Sequence, residues 1–144
     1  MGGHPWYYFV PFQSDISAAL HELRQREFQA GRYNPAMSFP MDLDASPPGA
    51  QHASIEEALD ASDADGTRSI LDMERVGESP ALGVVVPLPL EQLQELYGTQ
   101  QPTRKMIEQN MEFLNEIERG EGVYVIVYKD GSASEIFFAG YSYD

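Results

Sequence analysis

The side chains available for chemistry in this chain are carboxylates, hydroxyls and three histidines, because cysteine is absent. Without thiols there is no disulfide, no Cys-ligated zinc and no cysteine nucleophile. The stretch from Ala61 to Asp72 aligns in part with a calcium loop, with Asp63, Asp65 and Gly66 at its third, fifth and sixth positions. Ala61 stands where the first ligand belongs, Arg68 takes the apolar eighth position, and Asp72 is shorter than the bidentate Glu needed at the twelfth. The stretch therefore reads as an acidic helix end stopped by Gly66. At the N-terminus, Gly2-Gly3-His4 would offer Cu(II) or Ni(II) a square-planar set once Met1 is removed. With Met1 present, His4 stands one place too far along, and no metal or cofactor is expected.

Glu108, Glu112 and Glu116 recur every four residues, which on one helix lines three carboxylates along one side. Arg104 and Arg119 stand four before and three after the ends of that row, at spacings worth ~0.2–0.5 kcal/mol per ion pair. A solvated charged face accounts for it, and no Glu-x-x-His pair is present to build a di-metal site. Gly140-Tyr141-Ser142-Tyr143-Asp144 has the outline of a hydrolase elbow but lacks the helix and the later histidine that chemistry requires. There is no phosphate loop, dinucleotide fingerprint or His-Glu-x-x-His motif. The balance favours binding over catalysis, and no catalytic residue is assigned.

Two sets remain as candidate binding residues. His21, Arg24, Arg32 and Tyr33 would converge at the end of the first helix as an acid–base and anion-binding group, although His21 lies off the apolar stripe. The aromatics form rows by the period of two: Tyr124 with Tyr128, Phe137 with Tyr141 and Tyr143, and Trp6 with Tyr8. Where such rows meet they make either a core or a concave surface that binds ligands or proteins. Strand order decides this.

These residues must be placed by elements that the pattern predicts in outline. Trp6 to Phe12 reads as a strand whose Pro11 bars a central place at its far end. Ser14 and Asp15 cap a helix with Ile16, Ala19, Leu20, Leu23 and Glu27 on one face, and Gly31 stops it. From Asn34 to Ala53 runs a long connection with Pro35, Pro40, Pro47 and Pro48, in which Met37, Phe39, Met41 and Leu43 alternate with other residues. That spacing suits a segment strapped across a sheet edge or into a partner's groove, with Met37 and Phe39 as anchors.

Ser54 and Glu57 form a capping box for a second helix. Strands are expected over Thr67–Val76 and Ala81–Leu88, then a short helix from Leu90 to Gly98. A longer helix follows from about Pro102 to Gly120, with Met106, Ile107, Met111, Leu114 and Ile117 on one stripe. Val123–Tyr128 and Ile136–Tyr143 flank Asp130 and Gly131 as a C-terminal β-hairpin. Val123, Val125 and Val127 face one way, and Tyr124, Ile126 and Tyr128 the other, so this strand reads as central and covered on both sides. The expected fold is α+β, a single domain over 1–144. Its sheet of about four to five strands is mainly antiparallel, with helices packed on one face.

The 144 residues can bury one core but hardly two. Nine Lys and Arg against 23 Asp and Glu give a formal net charge of −14, which argues against nucleic acid and anionic lipid as partners. No apolar run is long enough to span a membrane, the N-terminal segment lacks a basic n-region, and Trp6 breaks the myristoylation pattern. A cytoplasmic location is expected. The reading that joins these observations is a small acidic module that binds and covers a basic or neutral protein, of neutralising or immunity type, with homo-oligomers also compatible. The alternative is a small-molecule-binding or enzymatic domain with an aromatic pocket. Tyr124, Tyr128, Tyr141, His21, Arg32, Met37 and Phe39 are the candidate contacts.

Overall fold

A computed structural model of the chain describes residues 5–33, 39, 47–62 and 67–142, arranged as one mixed α+β fold. The elements are β1 (Pro5–Pro11), α1 (Ile16–Ala30), α2 (Ile55–Ala61), a 3-10 turn (Ile70–Asp72), β2 (Arg75–Val76) and β3 (Val84–Pro87). They continue with α3 (Leu90–Tyr97), α4 (Arg104–Gln109), a second 3-10 turn (Glu112–Glu116), β4 (Gly122–Lys129) and β5 (Ser132–Tyr141). The five strands form one sheet in the order β1-β5-β4-β3-β2.

The local signals act as their chemistry requires. Asp15 caps α1 by accepting the Ala18 N–H, and Gly31 closes it with φ at 77°. Ser54 accepts the Glu57 N–H at the start of α2, while the Glu57 carboxylate reaches back to the Ala53 N–H. Gly98 ends α3 in the left-handed region. Between β4 and β5, Asp130 and Gly131 take φ of 54° and 80°. Two positive φ values in succession match the twist of the antiparallel strands they join.

The sheet is mixed, which corrects the expectation of a mainly antiparallel one. β1 and β4 run antiparallel to β5, whereas β3 lies parallel to both β4 and β2. α3 and α4 occupy the crossover that a parallel β3–β4 pair demands. The expectation of helices on one face fails for a related reason. The chain also buries two cores where one was expected: one gathers Trp6, Tyr8, Val85, Ile136 and Phe138 under α1 and α2, and the other gathers Val84, Val86, Val123, Val125 and Phe137 under α3, α4 and the second 3-10 turn. β4 sits in the middle of the sheet with an apolar residue toward each layer.

Further boundaries differ: β5 begins at Ser132 where a strand from Ile136 was expected, and three others shift for local reasons. Thr67–Val76 is a 3-10 turn followed by a two-residue strand, because Ser69 caps Leu71 and Asp72 turns back to accept the Thr67 N–H. The extended run over Ala81–Leu88 narrows to Val84–Pro87. The long helix expected from Pro102 to Gly120 breaks at Asn110, whose side-chain oxygen takes the Glu112 N–H and whose amide donates to Leu96 O. A short polar side chain that satisfies nearby backbone in this way competes with helix continuation. Met37, Met41, Leu43 and the rest of 40–46 lie outside the described residues, as do His4, Asp63, Asp65, Gly66 and Tyr143.

Val125, 2% exposed on the central strand, gives the fold its test. Val125→Asp buries an unpaired carboxylate and is expected to cost ~3–5 kcal/mol or more, most of a typical domain's stability. Thermal melting checks it; a loss of only a degree or two would place β4 at the periphery.

Candidate functional site

A groove lies between α3 and the second 3-10 turn. It has a volume of about 570 Å³ and is lined by Glu91, Gln92, Glu95 and Leu96 of α3, Pro89 before it, and Glu112, Phe113, Asn115 and Glu116 opposite. A smaller pocket of about 230 Å³ shares Pro89, Gln92, Phe113 and Glu116 with it and continues over Val86, Leu88 and Ile117 toward Glu121. The two adjoin through these shared residues and are together called the channel, whose lining combines apolar side chains with carboxylates. No Lys or Arg is among the lining residues of either part.

The walls are held by named bonds. The Tyr97 hydroxyl donates to Asn110 O at 2.7 Å, the Asn110 amide donates to Leu96 O at 3.3 Å, and the Gln92 amide reaches the Glu116 carboxylate at 2.9 Å. Partial burial pushes the Tyr97 hydroxyl up to about 12, so it stays a donor throughout the physiological range. Glu91 and Glu95 stand four apart on α3, an arrangement that costs an isolated helix ~0.2–0.5 kcal/mol unless a cation relieves it.

The residues marked in the sequence are scattered around this channel and not gathered in it. The row Glu108, Glu112, Glu116 is split by the break at Asn110: Glu108 pairs with Arg104 at 3.4 Å, and the other two line the channel. Glu91 and Glu95 were missed because nothing in the sequence says what packs opposite α3.

The set His21, Arg24, Arg32 and Tyr33 does not converge. His21 is exposed, and the Arg24 guanidinium donates to Leu71 O at 3.0 Å. Arg32 is taken by the chain's own Glu27, through Nε at 3.0 Å and Nη2 at 2.8 Å, while Arg26 Nε meets the same carboxylate at 2.9 Å. Glu27, fully buried, is the acid that this part of the fold binds. The burial of Tyr8 itself raises its hydroxyl far above the ordinary value, and the Glu27 charge adds to the effect.

The aromatic rows separate by face. Tyr124 packs with Trp6 and Tyr8 against the α1 layer, whereas Tyr141 packs with Phe137 in the opposite layer. Tyr128 is half-buried near the end of β4, where its N–H donates to Pro102 O. Phe39 is half-buried, with its ring 5.7 Å from Tyr7 and 5.4 Å from Tyr8. Those tyrosines are neighbours on β1 that belong to different layers, so the ring spans the margin of the sheet.

No family model, curated protein or solved structure matches this chain. The reading of the site therefore rests on its own geometry. Among the described residues there is no group of three or more His, Asp or Glu placed to hold a metal, and no helix is long and apolar enough to cross a membrane.

Two outcomes follow from these contacts. Glu27→Ala strands two guanidinium groups and is expected to cost ~2–3 kcal/mol, below the range for fully buried pairs because Arg26 and Arg32 retain water contact; denaturant titration measures it, and an unchanged midpoint would make the cluster peripheral. Phe39→Ala is expected to lower stability by ~1–2 kcal/mol through lost ring contacts with Tyr7 and Tyr8. Unchanged melting of that variant would show that the ring adds nothing to the fold.

Proposed function

We propose that this protein is a small acidic protein-binding module of the neutralising or immunity type, without catalytic activity, and that it takes a basic segment of its partner into the channel beside α3. The observation that carries the reading is the channel itself: Glu91, Glu95, Glu112, Glu116 and Glu121 line it without a basic residue, together with the apolar Val86, Leu88 and Phe113. Carboxylates facing one another across a groove concentrate negative potential, which steers a cationic partner and is relieved when that partner arrives. These apolar side chains add the desolvated contact that affinity requires.

The reading as a small-molecule or enzymatic domain has less in its favour. It needs the tyrosine rows to enclose one pocket, and Tyr124 and Tyr141 lie in different layers. It also needs an acid–base group beside them, and His21 is exposed on α1.

The test begins with affinity capture from the native host, using wild type and Glu91→Gln/Glu95→Gln/Glu112→Gln side by side. A stoichiometric protein partner should be retained by wild type and lost by the variant, with melting unchanged. Stopped-flow association with that partner should slow as salt rises through the screening range, and the triple variant should associate about tenfold more slowly at low salt. A salt-independent rate, or equal capture by both proteins, removes the channel from the argument.

A further inference from the structure

Ala19, Glu22, Leu23 and Arg26 follow one another at spacings of three, one and three, so they share one side of α1. Where the chain leaves β1, Val10, Phe12 and Gln13 come up to that side, and the two segments enclose a pocket of about 230 Å³. It belongs to the α1 layer, whereas the channel belongs to the other. Val10, Ala19 and Leu23 are buried, while Phe12 is 39% exposed and the two charged residues are exposed. The pocket thus combines an apolar surface with one acid and one base.

Glu22 and Arg26 stand four apart with the acid first, the order in which a helix favours a direct ion pair. None of the ion pairs among the described residues joins them, because each is held by another group. Glu22 Oε2 accepts the Gln13 amide, and Arg26 gives its Nε to Glu27 at 2.9 Å. Glu27 also holds Arg32, so one carboxylate faces two guanidinium groups and a positive charge is left over. Arg26, with its side chain 48% exposed, is the member of that group that lines the pocket. A carboxylate and a guanidinium are therefore kept apart beside the same apolar surface.

We propose that this pocket binds a free aliphatic α-amino acid, with the ammonium on Glu22, the carboxylate on the Arg26 guanidinium and the side chain against Val10, Ala19 and Leu23. The size agrees with this occupant. A cavity of about 150 Å³ accepts a benzene ring, so the volume here has room for a leucine-sized side chain and the polar groups at its Cα.

Charge narrows the choice further. An apolar carboxylate alone, such as the last residue of a peptide, would bring its charge beside Glu22 with nothing to relieve it. An amine alone, such as the first residue of a peptide, would leave Arg26 without an anion. The zwitterion answers both groups, and its charge-assisted hydrogen bonds are the stronger kind. This binding is independent of what the channel takes.

Titration of the isotope-labelled full chain with L-leucine near neutral pH, followed by NMR, tests the proposal. N-acetylleucine and leucinamide serve as analogues that each lack one of the two charges. Leucine should give saturable shifts of the Phe12, Gln13 and Leu23 amides while the amides of α3 stay in place. Each analogue should bind wild type at least about tenfold more weakly, and Glu22→Gln should bind leucine more weakly by a similar factor, as expected for one lost charge-assisted contact. Arg26→Gln should do the same; if it melts below the titration temperature because Glu27 loses a partner, the analogues and Glu22→Gln decide alone. Shifts that do not saturate, equal binding of either analogue, or unchanged affinity in Glu22→Gln would overturn the assignment.

Discussion

Everything in this fold depends on one strand that is apolar on both faces. β4 carries Val123, Val125 and Val127 toward one layer and Tyr124 and Ile126 toward the other. A strand apolar on both sides is stable only between two covers. The chain supplies the first cover from its N-terminal half, through α1 and α2, and the second from the stretch between β3 and β4. β5 then shields one edge of β4 and β3 the other, and β1, the first strand, closes beside the last. The close fit extends to the glycines: Trp6, Gly140 and Gly122 lie in one cross-strand row, and a Cβ on Gly140 would come within 2.6 Å of the Trp6 ring. Two missing side chains make the space in which the indole is buried.

This constraint also explains what could be read from the residues and what could not. Capping and turn chemistry acts within a few positions, so Asp15, Gly31, Ser54, Gly98 and the pair Asp130-Gly131 could be located from their neighbours alone. The two-faced character of β4 was equally plain in the run from Val123 to Tyr128. It already implied two layers, and an expectation of helices on one face conflicted with it. Strand direction is a different kind of information. Val84–Val86 has the same composition whether it pairs parallel or antiparallel, and only the length of the crossover through α3 and α4 bears on the choice. The break at Asn110 was hidden because its reward, the Leu96 carbonyl, lies on another element. For the same reason the channel was invisible: its two walls come from separate segments, of which only the Glu112–Glu116 side had drawn notice.

The distribution of charge is a consequence of packing as much as of composition. Glu27 sits on the apolar stripe of α1 and is buried with it, so a full carboxylate must be neutralised where water cannot help. Arg26 and Arg32 are committed to that task, and Arg24 is drawn in beside them to the Leu71 carbonyl. Arg104 is held between Glu108 and Glu135, with its guanidinium 4.2 Å over the Phe9 ring. Each of these cations is spent within the protein, in a chain that has only nine Lys and Arg for 23 acids. The channel lies on the opposite layer from the Glu27 cluster and receives none of them among its lining residues. Its acidic lining is what remains after the fold has used four of its arginines to stabilise one buried acid, one strand edge and one carbonyl.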